Sequence, residues 1–217
     1  MGDMPDLDAI IQDQIERFTI SGLKFEWPVY QHDSPPELMD ILRRNGFQTG
    51  EPERLLVLPT DEVPDQLRKT ASQFKEGKDS YTIRRVTNPD EIGNVVKVLE
   101  AVWGMPMPWI QKDFSWLLRF HADIIDIFVA YDQDVPVSTA WVLFLPNNRF
   151  ASLYGGSTIA AHRNRGLYTR LLALRANEAI KRNKQFLIVN AGEMSKPILS
   201  KYGFFVLDEL IPCDWGS

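Results

Sequence analysis

The segment Ser157–Arg170, with the sequence STIAAHRNRGLYTR, joins a strand-like run to a helix-like run through one basic turn. The strand-like run covers Ala151–Ile159, and the helix begins at Gly166. The first amides of a helix have no intrahelical partner, and the helix dipole adds partial positive charge there. Because glycine has no Cβ, a ligand can approach the backbone closely at this point. The spacing therefore predicts an anion site, and the first hypothesis is a phosphorylated cofactor.

A sheet must hold this turn in place, and the sequence predicts one. Strands are expected at Tyr81–Val86, Ile124–Tyr131, Val135–Leu145, Phe150–Ile159, Phe186–Val189, Phe204–Leu210 and Ile211–Trp215. Short turns join the three strands between residues 124 and 159, which favours an antiparallel meander. The helix that opens at Gly166 runs to about Asn183. From residue 81 onward the expected order is β, α, α, β, β, β, α, β, α, β, β.

The helix that follows Asn88 has a clear beginning. Asn88, Pro89 and Glu91 supply an N-cap, a first-turn proline and a capping-box acid. The apolar residues that follow lie on one face: Ile92, Val95, Val96, Leu99, Val102 and Trp103. Trp103 is therefore expected in the core. A second helix is expected at about Gln111–His121.

The first 78 residues predict a small α/β extension. Helices are expected at Leu7–Phe18 and Pro36–Asn45, and strands at Leu23–Tyr30 and Arg54–Leu58. A polar stretch then ends near Asp79, which predicts two domains, residues 1–78 and 79–217. Leu42, Gly46 and Phe47 repeat the spacing of Leu199, Gly203 and Phe204. This repeat indicates either a degenerate half-copy of one fold or simply a glycine that caps a helix.

Composition excludes several classes of function. The 217 residues carry 24 Lys and Arg against 29 Asp and Glu, a net charge of −5, which argues against a nucleic-acid binder. No apolar run reaches the length of a membrane span, and the acidic start lacks the features of a signal peptide, so a cytoplasmic protein is expected. With three scattered histidines and one cysteine, no metal site is expected.

The order of elements and the turn resemble the GNAT superfamily of acyl-CoA-dependent N-acyltransferases over about residues 79–217. The family signature is Arg or Gln, two residues, Gly, one residue, then Gly or Ala. Here it reads Arg163, Asn164, Arg165, Gly166, Leu167, Tyr168, so a tyrosine stands where the family has a small residue. The resemblance implies an α/β fold with a mixed sheet and acetyl-CoA as co-substrate. It assigns the pyrophosphate to Arg163, Asn164, Arg165, Gly166, Leu167, Tyr168 and Thr169, and the pantetheine arm to Thr158, Ile159 and Ala160.

A second family landmark aligns on Gly203 and Phe204. Its asparagine, alanine and leucine positions are taken here by Gly192, Ser195 and Ile198. Its tyrosine position is Leu199. In many family members this tyrosine protonates the departing CoA thiolate, so the source of that proton is open in this chain.

Acyl transfer needs a group that takes a proton from the amine and donors for the developing oxyanion. Glu193, just beyond the apolar strand, and Tyr154 are candidates for the base, and water could relay the proton. Ser195 could bond the sulfur, or could cap a short helix. Gly155 and Gly156 would suit a bulge that parts two strands, or would only relieve crowding under a helix.

In the family, the region around the first two helices forms a wall of the acceptor site. Trp109 is the best candidate for a contact with substrate, and packing is its alternative role; Trp103 is the second candidate. The resemblance implies an amine acceptor, expected to be a small molecule, and a homodimer is one option because a partner subunit often completes such sites.

Three functions are open. The leading one is an N-acetyltransferase that acts by direct attack in a ternary complex. The second is an acyl-CoA-binding sensor or interaction module with little or no transferase activity, which Leu199 favours. In the third, Gly166 only begins a helix of an unrelated α/β protein, and no CoA binds.

Overall fold

The computed structural model describes residues 6–72 and 81–216. The helices are α1 (Leu7–Ile20), α2 (Leu38–Arg44), α3 (Asp65–Ser72), α4 (Ile92–Trp103), α5 (Pro108–Phe120), α6 (Leu167–Lys181) and α7 (Lys196–Lys201). The strands are β1 (Phe25–Tyr30), β2 (Gln48–Thr49), β3 (Glu53–Pro59), β4 (Tyr81–Val86), β5 (Ile125–Asp132), β6 (Val135–Leu143), β7 (Phe150–Thr158), β8 (Phe186–Ala191) and β9 (Phe205–Trp215). Short 3₁₀ turns lie at Thr60–Glu62, Pro89–Glu91 and Ala160–His162.

The chain forms two compact units that are not simple halves of the sequence. The first unit contains the residues up to Leu56, then Ala191–Lys196, and the end of the chain from Val206. The second unit contains Val57–Asn190 and Pro197–Phe205. The boundary near Asp79 lies outside the described residues, and the division into residues 1–78 and 79–217 stays a prediction.

The first unit combines helices and strands from both ends of the chain. The Asp6 side chain accepts hydrogen bonds from the amides of Asp8 and Ala9 and thereby caps α1. Strands β1 and β2 both pair in antiparallel fashion with β9. The core of this unit consists of Ile11, Val29, Leu38, Leu42, Phe47 and Cys213.

The second unit is built on the strand order β8-β7-β6-β5-β4. Antiparallel pairing joins β4 to β5, β5 to β6 and β6 to β7, which confirms the predicted meander. The pairing of β7 with β8 is parallel, so the sheet is mixed. Among the described residues, no helix is both long enough and apolar enough to cross a membrane.

Helices cover this sheet on both faces. One face packs against α4 and α5 through buried residues such as Val95, Phe114 and Ile127. The other face packs against α6, where Leu171 contacts Phe128 and Ala140. The Asn88 side chain accepts from the Asp90 amide and caps the 3₁₀ turn Pro89–Glu91 that leads into α4, so the predicted cap at Asn88 is confirmed.

The prediction that Trp103 lies in the core is wrong. Its side chain is 64% exposed, although Ile92, Val95 and Leu99 on the same predicted stripe are buried. Trp103 is the last residue of α4, and Gly104 ends the helix in the left-handed conformation with φ of 70°. The packed face of the helix therefore stops one turn earlier than the apolar pattern does.

The repeated Leu-x-x-x-Gly-Phe spacing has one structure in both places. The Phe47 amide donates to the Leu42 carbonyl at 3.1 Å, and the Phe204 amide donates to the Leu199 carbonyl at 3.3 Å. The two glycines have φ of 91° and 92°. This is the Schellman helix end, in which an apolar contact accompanies the glycine. The helix-cap prediction is confirmed, and the half-copy stays a hypothesis.

Candidate functional site

Strands β7 and β8 separate along their length and form a fork in the sheet of the second unit. These parallel strands pair only from Phe150 with Phe186 to Ser152 with Ile188. Strand β7 continues to Thr158, and β8 also continues beyond Ile188. Where paired strands separate, their facing N–H and C=O groups become available to a ligand. The fork can therefore receive an extended chain that carries amide groups of its own.

A β-bulge lies in β7 beside this fork. Ser157 pairs with Thr139 and Tyr154 pairs with Trp141, so Gly155 and Gly156 together face one residue of β6. Gly155 has φ of 63°, the left-handed conformation expected for glycine at the first position of such a bulge. The predicted bulge is confirmed.

Crowding also requires both glycines. A Cβ added to Gly155 would lie 1.7 Å from Cζ3 of Trp141, and one added to Gly156 would lie 2.7 Å from Cε2 of Tyr168. The bulge therefore has the Trp141 ring against one glycine and the Tyr168 ring against the other. The tyrosine that departs from the family signature is accommodated because glycine stands opposite it on the strand.

The basic turn after β7 brings the predicted cofactor residues together. Thr158, Ile159 and Ala160 lead from the strand into a 3₁₀ turn, and α6 begins after Gly166, whose φ is 77°. Within the described residues, no side chain caps the beginning of α6, and a Cβ added to Gly166 would meet no atom within 4 Å. The remaining predicted residues follow in sequence around this helix start: Arg163, Asn164, Arg165, Leu167, Tyr168 and Thr169. Open amides and several basic side chains at a helix N-terminus form an arrangement that binds phosphate.

Side chains hold this turn in shape. The Arg163 side chain donates from Nε to the Thr158 carbonyl at 3.1 Å. Ser138 donates to the Ser157 carbonyl, and its Oγ lies 2.8 Å from Oγ1 of Thr158. His162 lies next to the turn, but its Nδ1 is 3.0 Å from the hydroxyl of Tyr81 on β4. His162 therefore anchors the turn to the sheet.

Arg175, which sequence reasoning missed, lies under the bulge. It belongs to α6 and is only 2% exposed. Its Nε donates to the Leu171 carbonyl at 3.0 Å, and its Nη1 donates to the carbonyls of Tyr154 at 3.2 Å and Trp141 at 3.4 Å. Burial lowers its pKa to about 10, while a hydrogen bond with Tyr168 opposes this fall. The guanidinium therefore stays charged at neutral pH. In the sequence, the signal that could have identified Arg175 is its charge in the middle of the apolar stripe of α6.

Tyr154, one candidate base, is 45% exposed. It pairs with Trp141 across the strands, and directly paired residues project their side chains to the same face of a sheet. Trp141 packs against Phe114 of α5, so Tyr154 points to the face that α4 and α5 cover. Trp109 in the first turn of α5 is 54% exposed, which leaves its ring available for a ligand.

The other two predicted catalytic residues belong to the first unit. Glu193 forms an ion pair with Arg54, whose Nε also donates to Glu209 at 3.0 Å. The hydrogen bond to Glu193 is the largest effect that raises the pKa of Arg54. Ser195 donates through Oγ to the Gly192 carbonyl at 3.3 Å. Both side chains are thus engaged locally, and their catalytic roles stay predictions.

Within residues 6–72 and 81–216, the structure contains no group of three or more His, Cys, Asp or Glu side chains that could hold a metal ion. Leu199, at the family's tyrosine position, is fully buried.

No family model and no curated protein matches this sequence, but solved structures share the fold. A GCN5-related N-acetyltransferase from Kribbella flavida has a TM-score of 0.64 at 14% identity, over 97% of this chain and 76% of that protein. A tandem GNAT protein from the clavulanic acid biosynthesis pathway has a TM-score of 0.62 at 14% identity, over 95% of this chain and 69% of that protein. A predicted acetyltransferase with acetyl-CoA from Clostridium acetobutylicum has a TM-score of 0.50 at 19% identity, over 58% of this chain and 90% of that protein.

Proposed function

The chain has the fold of the GCN5-related N-acetyltransferases, and from this premise we propose that it transfers an acetyl group from acetyl-CoA to a primary amine of a small molecule. The single observation that carries the proposal is the fork between β7 and β8, with a bulge on one side and an uncapped helix start at its end. This combination offers an extended slot, donors near the slot and an anion site in one unit.

Acetyl-CoA would bind along β7 into the basic turn. The pyrophosphate would contact the backbone of Arg163–Thr169, where the helix dipole and the arginines favour negative charge. The pantetheine arm would lie beside Thr158–Ala160 and exchange amide hydrogen bonds with the separated strand. In this arrangement the thioester would lie near the Gly155–Gly156 bulge, whose backbone amides would bind the developing oxyanion.

The reaction would be a direct attack of the neutral amine on the thioester carbonyl. The C–N bond forms, the C–S bond breaks, and the sulfur leaves with the electron pair. The Tyr154 hydroxyl is the better candidate to relay the proton from nitrogen to water, accepting it while its own proton passes on, because Glu193 already pairs with Arg54. Leu199 has no proton to give to the thiolate, so water would supply it.

A net charge of −5 suits a cationic amine, and the exposed Trp109 and Trp103 would contact the acceptor. The homodimer and the cytoplasmic location stay predictions from the sequence.

The proposal is tested by calorimetric titration of the protein with acetyl-CoA, repeated on Gly166→Asp. Gly104→Asp is the matched control, because Gly104 has a similar φ of 70° and the same open surroundings but ends a helix. Binding in the micromolar range that is lost only in Gly166→Asp supports the cofactor site. Absence of binding in the wild type refutes the proposal.

The buried Leu199 favours a second candidate, a protein that binds acyl-CoA without efficient transfer. A screen of small amines with detection of released thiol separates the two functions. Thiol release that depends on an amine indicates the enzyme, whereas tight binding without release across the screen indicates the sensor.

A further inference from the structure

The Arg175 guanidinium is an unusual group to find between a helix and a sheet. Its neighbours on α6, Leu171, Leu172 and Ala176, are all buried apolar residues. In the part of the chain that the structure describes, no carboxylate is paired with it. Transfer of an unpaired charge from water into a protein interior is costly unless hydrogen bonds compensate for it. The contacts of the guanidinium therefore indicate what it is for.

Those contacts converge on the bulge in β7. Nη1 binds the carbonyl of Tyr154, the residue just before the two glycines, and the carbonyl of Trp141, its partner on β6. A bulge disrupts the regular ladder and leaves the local backbone less constrained. Arg175 supplies donors at this position and so fixes the strand where the ladder cannot.

The direction of the Tyr154 carbonyl also fixes an amide. This oxygen and the Gly155 N–H belong to one planar trans peptide, in which the two groups point in opposite directions. When Arg175 holds the oxygen, the Gly155 N–H must point away from Arg175. A rotation of this peptide would turn both groups together.

Tyr168 connects this arrangement to the basic turn. It is the second residue of α6, so its backbone belongs to the predicted phosphate site. Its ring lies against Gly156, and its side chain forms a hydrogen bond with Arg175. The Tyr168 side chain thus contacts the bulge directly at Gly156 and indirectly through Arg175.

We propose that Arg175 and Tyr168 are positioning residues that aim the bulge amides at the thioester carbonyl, an inference that rests on the proposed function for its chemistry but not for its geometry. Neither side chain touches the reacting atoms. Their effect is on transition-state stabilisation, and the loss of one oriented oxyanion donor lowers kcat by about 100-fold to 1000-fold in other enzymes. An amide donor that is oriented less precisely should lower kcat by part of that factor.

The structural test uses the protein without any ligand. Labelling with ¹⁵N-glycine gives signals from the 13 glycines of the chain, among them Gly155 and Gly156. In Arg175→Lys and in the milder Tyr168→Phe, these two signals should shift and their amide exchange should become at least about 10-fold faster. Gly46 and Gly104 should be unchanged. Unaltered signals and exchange rates at the bulge in both variants would overturn the inference.

The functional test is the kinetics of the same variants. Both should lose about 10-fold or more in kcat, with KM for acetyl-CoA within about 3-fold of the wild type. Arg182→Lys, the same change at the residue that follows the C-terminus of α6, is the control and should keep kcat. Equal loss in the control, or a rise of KM alone, would overturn the positioning role. If the wild type binds no acetyl-CoA, the proposed function fails, and the glycine signals still decide whether Arg175 fixes the bulge.

Discussion

The contact between Gly156 and Tyr168 makes a quantitative prediction about stability. An alanine Cβ at position 156 would lie 2.7 Å from Cε2 of the Tyr168 ring, closer than side chains pack, so the ring must move. Overpacking of this kind costs about 1–3 kcal/mol. The backbone of Gly156 is not in the left-handed region, so alanine also restricts the unfolded chain and recovers about 0.5–1 kcal/mol. The net expectation for Gly156→Ala is a loss of about 1 kcal/mol.

Gly156→Ala should increase the free energy of unfolding, rather than lower it, when the Tyr168 ring is absent. Tyr168→Ala restores the small residue of the family signature and, since Tyr168 is only half-buried, should cost about 2 kcal/mol. In that background Gly156→Ala no longer meets the ring and should stabilise the protein by about 0.5 kcal/mol. The coupling between the two positions is then about 1.5 kcal/mol, well above the error of additivity.

Urea unfolding followed by tryptophan fluorescence measures the four proteins of this cycle. Gly155→Ala is the control, because its Cβ would meet Trp141 and its φ of 63° is unfavourable for alanine, so Tyr168→Ala should not rescue it. Equal effects of Gly156→Ala in both backgrounds, within about 0.5 kcal/mol, would refute the proposed packing of tyrosine against glycine.

Three further predictions concern the rest of the molecule. Partial burial and then the charge of Asp214, directly opposite on β9, raise the pKa of Glu26 above its ordinary value. A raised pKa in the folded state means that stability falls as this group ionises, and because the Glu26 side chain is exposed, solvent screens most of this effect. Glu26→Gln should therefore be slightly more stable at pH 7, by at most about 0.5 kcal/mol, with the gain vanishing near about pH 4 in pH-dependent urea unfolding. Asn88→Ala removes the bond to the Asp90 amide and should lower unfolding free energy by about 1 kcal/mol, whereas Asn88→Ser should retain most of it. Trp109→Ala should raise KM for the amine several-fold and leave KM for acetyl-CoA unchanged. Because the Trp109 ring is exposed, the free energy of unfolding should change by no more than about 0.5 kcal/mol. A large loss of stability would instead mean that the ring packs against the protein.

Local signals in the sequence predicted much of the second unit. The cap at Asn88, the glycine pair in β7 and the turn before Gly166 each act over a few residues, and such patterns can be read directly. Long-range pairs could not be predicted in this way. Arg54 binds Glu193, which is 139 residues away, and Arg175 finds the Trp141 carbonyl 34 residues earlier. Such pairs depend on which strands become neighbours.

Trp103 illustrates a different limit. The apolar stripe correctly predicts which face of α4 is buried, but it does not indicate where along that face the packing ends. The stripe therefore predicts the buried face of α4 correctly, but Trp103, at the end of that face, is exposed and does not belong to the core.

Leu199 shows how a family landmark can persist while its chemistry is absent. Its carbonyl accepts from the amides of Tyr202 and Phe204, and Gly203 between them has φ of 92°, so the residue forms part of a helix end. Leu42 has the same role before Gly46 and Phe47, in a unit without the signature turn. The leucine, glycine and phenylalanine are thus explained by helix termination alone. A tyrosine at position 199 would have to fit a fully buried site, so a proton for the leaving thiolate is better sought in water at the fork than in a restored side chain.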